Sequence, residues 1–226
     1  MQDELQSIVV VSSTEGTKEH QLTGQSVQNR FLHLMLKLEE KQSQKMMRGN
    51  QQIIPLPHQI EAVYKKMLQS PNVRYLLADD PGAGKTIMSG MLIKELKARE
   101  SIKRVLILVP PIVLVQWQEE LEQKFQESFK IINRATLGEY GNTNPFIEND
   151  CCLVSMYWAS REDIKHLILE ASFDLVVVDE AHKMAAYTYG KVKQKTNKTK
   201  LYNLGESLLS KSENCLLLTA TPHKGN

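Results

Sequence analysis

Three short runs carry the side chains best suited to chemistry. The first is LADDPGAGKT, Leu77–Thr86. Glycines such as Gly82 and Gly84 let backbone N–H groups curl round phosphates with no Cβ in the way. A helix starting at this point would aim its positive end at the same anion. In this pattern the lysine, Lys85, reaches the β- and γ-phosphates, and the hydroxyl of Thr86 holds Mg²⁺. Asp80, Pro81, Gly82, Ala83, Gly84, Lys85 and Thr86 are therefore predicted to cradle a nucleotide with its Mg²⁺. The general pattern GxxxxGK[ST] wants glycine where this chain has Asp79. A Gly-rich turn with a chance Lys-Thr pair is the alternative.

The second run is LVVVDEAH, Leu175–His182. An apolar strand would deliver Asp179 and Glu180 to its carboxyl end. Asp179 is placed to bind Mg²⁺ through water, and Glu180 to orient or deprotonate an attacking water. Two acids after a strand can also cap a helix, a reading that weakens once a phosphate loop lies upstream. The third run, LLLTATPHKG over Leu216–Gly225, ends a buried strand in Thr219-Ala220-Thr221. Two short hydroxyls beside a nucleotide suit a relay to a moving partner. A strand-to-turn hydroxyl cap closed by Pro222 is the plainer alternative.

Stepping from these runs to their supports, apolar and β-branched segments alternate with helical periodicity. Strands are expected at 75–78, 105–109, 129–132, 152–155, 175–178 and 216–218. Helices are expected at 26–47, 58–69, 85–99, 112–125, 163–170 and 201–210. Alternation of this kind means βαβ units and an α/β fold with a parallel sheet covered by helices on both faces. Ligands in such sheets sit at the carboxyl ends of the strands, where all three runs fall.

Composition sets the outer bounds. The 226 residues hold 28 Lys and Arg against 26 Asp and Glu, so the net charge of +2 excludes a histone-like or acidic-tail protein but leaves room for a local basic patch. Hydrophobic residues make up 42%, enough to exclude disorder throughout. Three cysteines cannot all pair, and Cys151, Cys152 and Cys215 are read as reduced core residues. The longest apolar stretch, Val105–Val115, is 11 residues broken by Pro110-Pro111, where about 20 would be needed to span a bilayer. The acidic opening MQDELQ does not suit a signal peptide. No membrane association is expected, and the predicted location is cytoplasmic, nucleoid-associated if bacterial.

In order, LPHQ, LADDPGAGKT, LVP, DEAH and TATP resemble the first RecA-like lobe of a superfamily-two helicase. The forms LADDPGAGKTI and LTATP are most similar to the Swi/Snf-type DNA translocases, and DEAHKMAAYTYGKVKQKTNKTKLYNLGE to a bacterial and archaeal branch of them. Asp79 is ordinary within that family. The resemblance covers roughly residues 50–226, read as a RecA-like P-loop NTPase lobe. Residues 1–49 form an N-terminal extension outside it.

Roles follow residue by residue as what the resemblance implies. Gln59 would read the adenine edge and favour ATP. Pro110 and Pro111 lie where a turn touches a nucleic-acid backbone, and Ser155 and Arg161 lie in a second such segment. Trp117, one helix turn beyond, is read as core in preference to base stacking. His182, with Thr219 and Thr221, would couple the ATP site to a second lobe. His223 and Lys224 stay unassigned. A second RecA-like lobe would complete the cleft and supply an arginine finger worth about 10³–10⁵ in rate. The sequence ends just past TATP, so this chain by itself is expected to bind Mg·ATP with weak or no turnover. Double-stranded DNA is the expected partner. An RNA-directed DExH lobe and a nucleotide-gated interaction module are the alternatives.

One segment stands apart. Ala181–Gly205 has six lysines and no acid, with Tyr187 and Tyr189 interleaved. It reads equally as a phosphate-gripping loop or as a solvated one.

Overall fold

The computed structural model describes residues 9–11, 55–80, 82–185, 187–189 and 195–220, with side chains over 55–80, 82–185 and 198–220. The expected helix at 26–47, and Pro81, Thr221, His223 and Lys224, lie outside the described residues. Among the described residues no helix is long and apolar enough to cross a membrane.

The centre is a parallel sheet of seven strands: β1 (Val9–Val11), β2 (Arg74–Ala78), β3 (Val105–Val109), β4 (Lys130–Ile131), β5 (Cys151–Ser155), β6 (Leu175–Val178) and β9 (Asn214–Thr219). Their spatial order is β1-β2-β9-β6-β3-β5-β4. All six pairings are parallel. Every residue of β3 and β6 is buried. Runs of Val, Leu and Ile without polar alternation are what a strand covered on both faces requires. Each such side chain contributes about 1.5–3 kcal/mol when fully buried.

Helices cover both faces. Leu106, Leu108, Cys152, Val154, Val176 and Val178 share one face with the buried side chains of α6 (Met156–Ala159), α7 (Glu162–Glu170) and α8 (Lys200–Leu209). On the other, α2 (Lys85–Ala98) meets α3 (Leu114–Phe125) so closely that a Cβ on Gly90 would stand 2.2 Å from the Phe125 ring. The expected helix at 58–69 begins as α1 (Pro57–Ile60), then widens into a π-helical turn over Glu61–Lys66 and tightens over Met67–Gln69.

Three short helices escaped sequence reading: α4 (Arg134–Glu139), α5 (Pro145–Glu148) and α6. Each is six residues or fewer, too short for periodicity to register. Asn133 and Asn144 cap the first two through their side-chain oxygens. Part of the lysine-rich segment is described as paired strands. Its backbone forms an antiparallel pair, β7 (Tyr187–Tyr189) with β8 (Lys195–Asn197).

Strands β2 and β3 follow one another in sequence, yet β9 and β6 lie between them. This crossover gathers the chemistry. The loop 79–84 leaves β2, Thr219 ends β9, Asp179-Glu180 leave β6, and Pro110-Pro111 leave β3. In register, Ala78 is level with Thr219, and Leu108 with Val178.

Candidate nucleotide-binding site

Two loops leave the sheet after one extra rung each. The N–H of Asp79 donates to the Thr219 carbonyl at 3.1 Å, and that of Asp179 to the Leu108 carbonyl at 2.8 Å. Those bonds fix where each loop departs.

In the first loop, Gly82 and Gly84 take positive φ angles of 88° and 83°. Such angles are open to glycine and strained for other residues. Gly84 is the residue from which α2 begins. The Lys85 ammonium reaches back to donate to the carbonyls of Asp79 (2.9 Å) and Asp80 (3.0 Å). Asp79 is 2% exposed, and its Oδ1 accepts the N–H of Asp80 at 3.1 Å. The aspartate that replaces the first glycine of the general pattern thus helps shape the loop.

Gln59 closes the loop from the side. Its amide Nε2 donates to the Ala83 carbonyl at 3.1 Å, and its Oε1 accepts the N–H of Leu56 at 3.0 Å. Nε2 of His58 lies 3.2 Å from the same Ala83 carbonyl. The glutamine joins the start of α1 to the loop after β2, a link that its sequence position did not reveal. One N–H of its amide remains for another acceptor.

The second loop holds two acids in different settings. Burial pushes the Asp179 carboxyl above its ordinary range, opposed by the N–H groups of Glu180 and Trp117 and by the charge of Lys85. The N–H of Glu180 donates to Oδ1 at 2.9 Å and the indole of Trp117 to Oδ2 at 3.2 Å. Glu180 sits in the left-handed region, at φ 51° and ψ 44°. For a residue other than glycine that costs about 1–2 kcal/mol. Such strain persists where the surroundings impose it, commonly at functional sites.

His182 ties this loop to the end of β9. Its Nδ1 lies 3.1 Å from Oε2 of Glu180 and 3.1 Å from Oγ1 of Thr219. Thr219 is 2% exposed. The structure therefore brings together Lys85, Asp179, Glu180, His182 and Thr219.

Mg²⁺ takes oxygen ligands, keeps several waters, and is commonly held by one or two protein groups plus phosphate. The Asp179 carboxylate and the Thr86 hydroxyl suit that demand. Among the described residues no group of three or more His, Cys, Asp or Glu is arranged to hold a metal ion. The donor set fits a cation that arrives with phosphate oxygens.

The remaining candidates lie further along the same rim. Pro110 is buried, whereas Pro111 is exposed and Ile112 is 91% exposed. Ser155 ends β5 half-buried. Arg161 is exposed, with its guanidinium on Asp163 at 3.1 Å. Trp117 is a core residue as expected, 3% exposed. Its link to Asp179 went unforeseen, although a buried indole N–H normally needs an acceptor. Of the three free thiols, Cys152 and Cys215 are core, but Cys151 is half-exposed and not the core residue expected.

Residues 52–224 match the family described as Type III restriction enzyme, res subunit. The chain is 36% identical over 170 residues to the ATP-dependent helicase YqhH of Bacillus subtilis, covering 74% of this chain and 26% of that protein. It is 33% identical over 172 residues to the RNA polymerase-associated protein RapA of Haemophilus influenzae, covering 75% and 18% respectively. The chain thus spans about a quarter or less of the length of these relatives. Among solved structures, the fold matches the SWI2/SNF2 ATPase core of Sulfolobus solfataricus determined with double-stranded DNA. That match has a TM-score of 0.59 and 22% identity, over 78% of this chain and 34% of that one. It also matches the UvsW helicase of bacteriophage T4, with a TM-score of 0.56 and 16% identity, over 85% and 62%.

Proposed function

The chain belongs to the Type III restriction enzyme res-subunit family and carries a RecA-like lobe of the superfamily-two, Swi/Snf type, and from this we propose that it binds Mg·ATP and drives translocation on double-stranded DNA once a second lobe completes the cleft. The observation that carries the reading is the convergence of Lys85, Asp179, Glu180 and Thr219 on the ends of three neighbouring strands.

In this reading Gly82, Ala83, Gly84 and Lys85, with Asp80 and Pro81, wrap the phosphates. Lys85 exchanges the loop carbonyls for phosphate oxygens. Thr86 and Asp179 hold Mg²⁺, which when bound would neutralise charge developing on the transferred phosphoryl group. Glu180 orients the attacking water, with its carboxylate steadied by His182. His182 and Thr219, with Thr221, report the state of the phosphates to the second lobe. Pro111, Ser155 and Arg161, with the turn at Pro110, face the nucleic acid. Gln59 contributes its remaining amide N–H to the adenine. The RapA and YqhH relatives are about four to six times longer than the matched segment, which leaves room for the second lobe and its arginine finger. A cytoplasmic, nucleic-acid-associated location goes with this reading.

The test is ATP turnover by this chain, and by a longer protein that includes the second lobe, each with duplex DNA, single-stranded DNA and RNA. Turnover by the longer protein alone, stimulated by duplex DNA, is expected. Stimulation by RNA and not by duplex DNA would transfer the reading to an RNA-directed helicase. ATP binding without turnover in any arm would leave a nucleotide-gated module.

A further inference from the structure

Asp179 has one fixed donor on each carboxylate oxygen, the N–H of Glu180 on Oδ1 and the indole of Trp117 on Oδ2. Two donors on two oxygens set the plane of the carboxylate and still leave lone pairs for a cation. The indole itself has little room to move. It is 3% exposed, and Leu121 and Phe125 bury the same helix below it. Gly90 of α2 admits the Phe125 ring at a distance where any Cβ would collide. The helix that carries Trp117 starts directly after the turn Pro111–Val113, whose Ile112 is almost wholly exposed. One rigid element therefore runs from the open rim of the sheet to the buried acid.

We propose that Trp117 is a positioning residue that holds the Asp179 carboxylate in the orientation Mg²⁺·nucleotide requires. The proposal rests on the reading of Asp179 as a Mg²⁺ ligand. Groups that orient a metal ligand commonly change metal affinity or activity by about 10–100-fold when removed.

The test measures binding of a fluorescent ATP analogue to the chain, with Mg²⁺ titrated and in EDTA. Trp117→Phe keeps an aromatic ring, though a smaller one, and deletes the donor. The Mg²⁺ concentration for half-maximal enhancement of binding should rise by about 10–100-fold, with binding in EDTA unchanged. A purely structural loss would weaken both conditions alike and would overturn the proposal. A second arm leaves Trp117 intact. The other tryptophan, Trp158, packs against the core on the far side of the sheet. Trp158→Phe makes Trp117 the sole tryptophan, and its selectively excited fluorescence should respond to Mg²⁺ with ATP and not to ATP in EDTA. A silent indole would count against the role. Asp179→Asn separates the two ideas. If it abolishes the Mg²⁺ dependence while Trp117→Phe behaves as wild type, the positioning role fails and the metal reading stands. If Asp179→Asn leaves the Mg²⁺ dependence intact, both fail.

Discussion

A Cβ placed on Gly84 would stand 2.2 Å from Nε2 of Gln59. The glutamine cannot simply swing away, because it is 4% exposed and both ends of its amide are hydrogen-bonded. The loop after β2 and α1 are thus fitted to each other. Gly84→Ala combines a positive φ with this collision, and should cost about 1–3 kcal/mol of stability and remove ATP binding. Adding Gln59→Ala removes the collision and leaves the backbone strain. The double variant should recover part of the lost melting temperature but not nucleotide binding. Full recovery of both would mean that neither glycine nor glutamine shapes the loop.

Glu180 is held in a conformation that glutamate dislikes, 3.1 Å from His182. Glu180→Gln keeps the size and hydrogen-bonding reach while removing the charge. In the longer protein with its second lobe it should bind ATP as wild type and lose turnover by about 10²–10⁴-fold, the usual worth of a positioned acid or base. Retained turnover would reassign the water-activating group.

Two of the contacts of Thr219 differ in kind. Its carbonyl takes the N–H of Asp79, and its hydroxyl meets His182. Thr219→Val preserves the backbone rung and removes the side-chain link, so the stability cost should stay near 0.5–1.5 kcal/mol. ATP binding should be preserved, while stimulation of turnover by DNA falls in the longer protein. Equal loss of basal and stimulated rates would show that the hydroxyl serves the chemistry and not the coupling.

Much of the frame was legible in the amino-acid order. The uninterrupted apolar runs at Val105–Val109 and Leu175–Val178 are strands over those same spans, because a doubly covered strand leaves no polar alternation to confuse. Helix α2 starts at Lys85, where the glycines end. What the order of residues could not show is adjacency. Nothing local says that β9 inserts between β2 and β6, yet that insertion puts Thr219 beside Asp79 and His182. The same holds for Trp117, 62 residues from its acceptor. Gln59 shows a different limit. Its motif names a nucleotide contact, whereas its geometry shows a clamp on the loop that would hold that nucleotide.

The alkaline limb of stability follows from the half-buried Tyr64 phenol and the buried Cys152 thiol. Burial and the neighbouring Glu95 raise the Tyr64 phenol from 10.0 to about 12, and burial raises the Cys152 thiol from 9.0 to about 12. The unfolded chain therefore releases these protons at lower pH than the folded one. Stability is present in full below pH 9 and declines as pH rises toward 12. Denaturant midpoints measured across that range should fall, and Tyr64→Phe should make the fall shallower. A midpoint independent of pH in this window would contradict the surroundings assigned to both groups.

The three thiols should separate by rate. Thiolate is the reactive form, and burial in apolar surroundings suppresses it. Cys152 and Cys215 are buried, and burial raises both thiols. Cys151 is half-exposed, and the Lys97 ammonium lies 3.0 Å from its sulfur. At pH 8 in native buffer, a disulfide reagent should modify Cys151 fast and the other two only as the sheet opens. Peptide mapping identifies the modified residue, and Cys151→Ser should erase the fast phase. Because Cys151 opens β5 half-exposed while Cys152 beside it is buried, modification of both at one rate would mean that the start of this strand is less covered than the structure shows.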